Sequence, residues 1–121
     1  MGDATTEFFE QLRNRRHEPM LAGITSTFRF ELEDGAKTER WHVAVTKGDI
    51  AVSQRNARAD CVMRMSRKLS NQVTSGERNV VAAFMRGEIG LEGDWNLMVQ
   101  LQRLLPGPAE SRRTWETRRR S

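Results

Sequence analysis

Residues Asn79 to Leu105, NVVAAFMRGEIGLEGDWNLMVQLQRLL, constrain this chain more than any other stretch, because they carry the signals of a helix, a strand and a second helix with almost nothing between them. Val80, Val81, Phe84 and Met85 share one side of a short helix, and Gly87 can end it, since glycine adopts the left-handed conformation of a C-terminal cap at no steric cost. Ile89 and Leu91 then alternate with Glu88, Gly90 and Glu92, the period of two that marks a strand with one buried face. Gly93 breaks the strand. Asp94 can accept hydrogen bonds from the first free amides of the next helix, predicted from Trp95 to Leu105 with Pro106 as its stop.

That last helix is too apolar for one interface. At 3.6 residues per turn, Trp95, Leu97, Met98, Val99, Leu101, Leu104 and Leu105 spread over roughly 220°, about twice the arc a surface helix needs. Asn96, Gln100 and Arg103 are left as a narrow polar edge, and Gln102 alone interrupts the apolar arc. The surplus has to meet something besides a single sheet face: further protein layers, loops, a second subunit or a ligand.

The preceding residues supply the layers. Thr5 or Thr6 is the expected cap of a first helix with Glu7 and Glu10 near its start and Arg13, Arg15 and Arg16 near its end, the charge order the helix dipole favours; Phe8, Phe9 and Leu12 should anchor it. After Pro19, Phe28, Phe30 and Leu32 alternate with Arg29, Glu31 and Glu33, and Asp34-Gly35 signals a tight hairpin. Lys37 to Lys47 returns as a second strand with Trp41, Val43 and Val45 on its apolar face, and Gly48-Asp49 turns the chain again. Ile50 and Val52 mark a third strand, Cys61, Met63 and Met65 a fourth, and read in order the four form an antiparallel meander. Ser66 should cap a helix that contains Leu69 and Val73 and closes at Gly76, and Asn79 the one after it. Strands and helices segregate, which predicts an α+β fold: about five strands in a mostly antiparallel sheet, with helices covering one face.

The run Ala83-Phe84-Met85-Arg86-Gly87-Glu88-Ile89-Gly90-Leu91-Glu92-Gly93-Asp94, followed by an apolar helix, resembles the signature region of the sterol carrier protein type-two family. The likeness is strongest over Val80 to Leu105 and extends back to about Phe8. Val80 departs from the proline of many relatives, and the chain ends in Arg-Arg-Arg-Ser where animal relatives carry a peroxisomal tripeptide. The resemblance implies a small domain enclosing an apolar tunnel that carries fatty acids, acyl-CoA, sterols or phospholipids without chemistry. Joined to the surplus arc of the last helix, it places an apolar guest between that helix and the concave side of the sheet, touching Phe84, Met85, Trp95, Met98, Leu101 and Leu105.

Composition narrows the alternatives. A chain of 121 residues is one domain's worth, and the longest apolar run, Val80 to Met85, spans no membrane. The first residues lack a secretory pattern and Cys61 is the only cysteine, so a reducing, cytoplasmic setting is expected. The net charge of +4 invites a nucleic-acid reading, but five arginines against Glu110 and Glu116 put most of it in residues 106–121. We therefore expect a binding domain over 1–105, a basic tail over 106–121 that is mobile or weakly helical and makes weak contact with anionic membranes, and no specific nucleic-acid partner.

No motif for catalysis or metal binding emerges. His17 and His42 have no ligand spacing and no cysteine cluster to join, so neither metal nor cofactor is expected. Cys61 alternates with Met63 and Met65 as a buried thiol would. Glu88 and Glu92 face away from Ile89 and Leu91, and Gly87, Gly90 and Gly93 do not form the dinucleotide fingerprint. Arg86 follows the apolar helix and either meets a carboxylate head group or sits in solvent near Glu88. Six methionines, including Met63, Met65, Met85 and Met98, suit an interior that adapts its shape. The expected function is a non-catalytic carrier of apolar lipid. The alternatives are a structural or interaction domain that uses the apolar helix, and a small isomerase or cyclase on a conical α+β scaffold; the oligomeric state is not readable.

Overall fold

The computed structural model describes residues 3–105, so the basic segment 106–121 and the expectation attached to it lie outside the described residues. Strands β1 (Thr25–Asp34), β2 (Lys37–Thr46), β3 (Asp49–Ser53), β4 (Cys61–Ser66) and β5 (Gly90–Gly93) form one sheet in the order β3-β2-β1-β4-β5. Helices α1 (Ala4–Arg15), α2 (Arg67–Thr74), α3 (Val80–Met85) and α4 (Trp95–Leu101) accompany it, with short 3-10 turns at Pro19–Leu21 and Gln102–Leu104.

Alternation builds one apolar face. Phe28 stands opposite Val43 and Cys61, Phe30 opposite Trp41 and Met63, and Leu32 opposite Met65, all of them buried. Every helix lays its apolar side there: Phe9 and Leu12 from α1, Leu69 and Val73 from α2, Val80 and Ala83 from α3, Met98 and Leu101 from α4. The Phe9 ring stacks on Trp41 at 4.7 Å and tilts against Phe30 at 5.2 Å, which fixes α1 across the centre of the sheet. The fold is α+β with a mixed, mostly antiparallel sheet, as the segregation of elements predicted.

The expected meander is corrected at β4, which pairs with β1 in parallel and not with β3. Residues 54–60 carry the chain across the helix-free face, where Ala57 O accepts from Arg29 Nη1 at 2.8 Å and Arg58 O lies 3.1 Å from His42 Nε2. Asp60 then fixes the register. Its carboxylate accepts from Thr27 N at 3.0 Å, Ser26 Oγ at 3.1 Å and Thr27 Oγ1 at 3.2 Å, tying the start of β4 to the start of β1. These bonds, the Thr27 amide foremost, hold the Asp60 carboxyl below its ordinary pKa. On the same face Glu31 gathers Arg64 at 2.8 Å, Arg29 at 3.1 Å and Arg40 at 3.4 Å, bridging all three central strands.

Helix ends follow side-chain chemistry, with two corrections. Ser66, Asn79 and Asp94 cap as expected, accepting from Leu69 N, Ala82 N and Asn96 N at 2.9–3.0 Å. The cap of α1 is Asp3, not Thr5 or Thr6: Asp3 Oδ1 accepts from Thr6 N at 3.1 Å, while Thr5 is buried with its hydroxyl 2.7 Å from both Ser70 Oγ and Asn71 Oδ1. The last helix is shorter than Trp95 to Leu105. It tightens to a 3-10 turn after Leu101, and Leu105 is extended (φ −87°, ψ 142°), the conformation imposed on a residue that precedes proline. Gly93 links β5 to α4 at φ +103°, and a Cβ there would collide with the Asp60 carbonyl, so the β4–β5 junction requires glycine.

Candidate functional site

A cavity lies between the sheet and α4. The sheet supplies Phe30, Met63 and Met65, α1 supplies Phe8 and Phe9, α3 supplies Val80, and α4 with its 3-10 extension supplies Met98, Leu101, Gln102 and Leu105. Ser70, Val73 and Thr74 of α2 close the remaining side. No lining side chain is charged. The two hydroxyls are turned into protein: Ser70 Oγ is 2.7 Å from Thr5 Oγ1, and Thr74 Oγ1 donates to Ser70 O at 2.7 Å. Apart from the Gln102 carboxamide, a guest therefore meets hydrocarbon, aromatic ring and thioether, surfaces that bind by apolar burial and dispersion.

The cavity measures about 30 Å³, an order of magnitude below the roughly 300–1,000 Å³ of pockets that enclose drug-sized molecules. Phe8, Thr74 and Leu105 also border a surface groove of about 250 Å³, whose other walls are Gln11, Leu12, Arg15 and Leu104. These three side chains are the partition between cavity and groove. Arg15 holds Glu18 through Nη1 at 2.9 Å and is about half exposed at the groove.

The residues singled out from sequence fall into two groups. Met98, Leu101 and Leu105 are in the cavity lining. Phe84, Met85 and Trp95 are outside it, at the edge where α3 ends and α4 begins; Phe84 is half-buried, its ring 6.4 Å from that of Trp95, and Met85 is exposed. The sequence reading missed the contributions of Phe8, Phe9, Phe30, Met63, Met65, Val73 and Val80 to this wall, together with those of Ser70, Thr74 and Gln102. The adjacent pair Phe8-Phe9 was the available signal, since neighbouring helix positions point about 100° apart and two large rings there give α1 a wide apolar side, with Phe9 in the core and Phe8 packed against its edge.

The titratable groups lie elsewhere. His17 Nδ1 pairs with Asp49 Oδ1 at 2.7 Å on an exposed turn, and His42 faces the 54–60 crossing. Cys61 is buried, and burial, reinforced by Asp94 and Asp60, pushes its thiol up to about 11, which keeps it protonated and unreactive at neutral pH. Arg86 is exposed, and Glu88 is held by Arg78 at 2.6 Å. Among the described residues no three of His, Cys, Asp and Glu are grouped to hold a metal, and no helix is long and apolar enough to cross a membrane.

Fold and cavity define a class: a small α+β domain whose helices roof an apolar cavity against one face of a mixed sheet. The chain belongs to the SCP-2 sterol transfer family, whose profile matches residues 7–106. It is 28% identical over 99 residues to sterol carrier protein 2 of Gallus gallus, a match covering 78% of this chain and 18% of the relative, so the chain spans less than a fifth of that protein's length. The sterol carrier protein domain 2 of Helicoverpa armigera shares the fold at a TM-score of 0.67 and 18% identity, covering 84% of this chain and 85% of that one. Palmitated SCP2L2 of Aedes aegypti does so at 0.61 and 17%, covering 80% and 89%. The stereoselective inverting sec-alkylsulfatase of Pseudomonas sp. contains the same fold as part of a larger chain, at 0.66 and 20%, covering 83% of this chain and 16% of the sulfatase. Membership of the family supports a lipid-binding or carrier domain, and the neighbours show the fold.

Proposed function

We propose that the chain is a non-catalytic carrier domain that works in the cytoplasm and takes one apolar lipid, a fatty acid, acyl-CoA, sterol or phospholipid, into the cavity beneath α4. The observation that carries the reading is the lining itself: a buried space with no charged wall, whose hydroxyls are already satisfied by protein, binds apolar surface and offers no acid, base or nucleophile. The palmitate named for the mosquito relative makes a long-chain fatty acid the natural first probe.

Loading requires the cavity to widen. Met63, Met65 and Met98 change rotamer at low strain, and α4 with its 3-10 turn is held to the sheet side chiefly by Met98 and Leu101, the buried residues of that element. An acyl chain that enters from the groove passes Phe8, Thr74 and Leu105 and leaves its polar end near Gln11 and Arg15.

Met98→Trp tests the site. Met98 is 1% exposed beside a cavity of about 30 Å³, so the larger ring should cost about 1–3 kcal/mol of stability and displace a fluorescent fatty acid. Mass spectrometry of lipid that copurifies with the parent protein should find guest, and with the variant should not. Undiminished fatty-acid binding by a variant that melts several degrees lower would place the guest elsewhere.

A further inference from the structure

We propose that the edge formed by the end of α3 and the start of α4 is a docking surface for an anionic phospholipid bilayer, setting the roof of the cavity against the membrane that supplies the guest. The inference deepens the carrier reading and rests on it for the last clause only.

Three large apolar side chains are strongly exposed among the described residues: Met20 at 49%, Met85 at 75% and Trp95 at 48%. Met20 is on the 3-10 turn before β1. The other two flank Phe84, whose ring lies 6.4 Å from the Trp95 indole at 17° to its plane, so that three adjoining side chains offer apolar surface outside the cavity wall. Single exposed hydrophobes are ordinary on protein surfaces; an adjoining set that includes indole and thioether has the character of an interfacial anchor, one face apolar and one group able to hydrogen-bond at head-group depth.

Local charge selects the kind of surface. Glu88 is paired with Arg78 at 2.6 Å, Glu92 lies 3.1 Å from Arg64, which it shares with Glu31, and the Asp94 carboxylate keeps its charge while accepting from Asn96 N at the start of α4. Arg86, next to Met85 in the chain, enters no ion pair among the described residues, and its guanidinium suits a lipid phosphate. The sequence that follows Leu105 holds five arginines, at 112, 113 and 118–120, against Glu110 and Glu116, a net charge of the same sign as Arg86 that an anionic surface would attract with it. A second copy of the chain fits less well. At about 150–250 Å² for a whole aromatic side chain, two partly covered rings and one methionine offer a few hundred Å² at most, against about 800 Å² per partner in a stable complex.

The test uses the full chain and two vesicle compositions, phosphatidylcholine alone and phosphatidylcholine mixed with phosphatidylglycerol, read by co-sedimentation. Met85→Ser combined with Trp95→Gln should weaken partition into the mixed vesicles by about tenfold or more, the loss expected for two apolar anchors. Arg86→Glu should weaken binding to the mixed vesicles and not to the neutral ones, and Met20→Ser should leave both unchanged. Circular dichroism confirms that each variant is folded, and fatty-acid affinity is measured in vesicle-free buffer. Absence of vesicle binding by the parent, or undiminished binding by the double variant, overturns the proposal. So does a dimer in buffer that the double variant dissociates, which gives the edge to a second copy, or an equal loss of fatty-acid and vesicle binding, which gives it to the guest site. A parent chain that binds no fatty acid while vesicle docking still depends on Met85 and Trp95 would sink the carrier reading and leave the docking surface standing.

Discussion

Arg15 stands in the groove that adjoins the apolar cavity, so on the proposed carrier reading it would discriminate between guests by head group and not by tail. Its Nη1 is engaged by Glu18 and the side chain is about half exposed, which limits what a carboxylate gains there to roughly 1 kcal/mol. Arg15→Gln should therefore weaken displacement of a fluorescent probe by palmitate about fivefold and leave displacement by a neutral sterol unchanged; equal losses for both would mean that Arg15 acts through the fold. Gly93 is decisive in a different way. Its φ of +103° and the Asp60 carbonyl beside it both exclude a side chain, so Gly93→Ala should lower the urea midpoint by an amount equivalent to about 1–3 kcal/mol or more. Gly23→Ala, where a Cβ would meet nothing within 4 Å, should stay within about 0.5 kcal/mol of the parent. Similar losses at both positions would contradict the junction described for β5 and α4.

At the scale of elements, α4 is the part whose stability and function pull against each other. On the proposed carrier reading it must be ordered to roof the cavity and loose enough to admit a guest, yet it has seven residues before its 3-10 turn, a length at which an isolated helix is not stable in water. Its order comes from Met98 and Leu101 beneath it and from the Asp94 cap. Asp94→Ala should cost about 1 kcal/mol, and the loss should be local: amide exchange should quicken over residues 95–104 while β1 and β2 keep their protection. Uniformly faster exchange would mean that α4 opens only with the whole domain. The sheet has no such freedom, because β1 is paired along both edges and Glu31 clamps its outer face to Arg40 of β2 and Arg64 of β4.

For the whole molecule, ionisation sets a stability dome with two sides of different origin. Partial burial alone would raise the Asp3 and Glu31 carboxyls, but bonds from Arg67 and the Thr6 amide on Asp3, and from Arg64, Arg29 and Arg40 on Glu31, leave both below their ordinary values, as hydrogen bonds leave Asp60. A depressed folded-state pKa means stability present above the unfolded value near 4 and lost as pH falls below it, so the melting temperature should drop from about pH 5 downward. Cys61 has the opposite sense. Its thiol, pushed up to about 11 from an ordinary 9.0, contributes fully below pH 9 and loses that contribution as pH rises towards 11, an effect of about 2–3 kcal/mol. Cys61→Ala should flatten the alkaline side and leave the acid side in place. A parent protein that melts alike from pH 8 to pH 11 would show that the thiol is not held neutral.

Local rules were enough for the elements and for their layering. Period-two alternation marked β1 and β2 because alternate residues of each face the core, and it marked β4 through Cys61, Met63 and Met65 although Val62 between them is buried too; Ser66, Asn79 and Asp94 announced the helix starts because their side chains supply the acceptors that a first turn lacks. Met98 and Leu101 of the last helix, and Leu105 just past its 3-10 turn, were legible as apolar positions for the same reason. What periodicity cannot carry is partnership between distant residues. Nothing local in Cys61-Val62-Met63 says that the strand will run parallel to β1, since that choice is made by Asp60 bonding to Ser26 and Thr27 more than thirty residues earlier. Nor does the wide apolar arc of the last helix say which part faces the cavity and which the outside: Trp95 joins Phe84 and Met85 at an exposed edge, and Phe8, Phe30 and Met63 close the cavity in their place. Composition and spacing determine which side chains avoid water; only the packed structure decides which neighbour each one avoids it with, because that is settled by contacts among residues far apart in the chain.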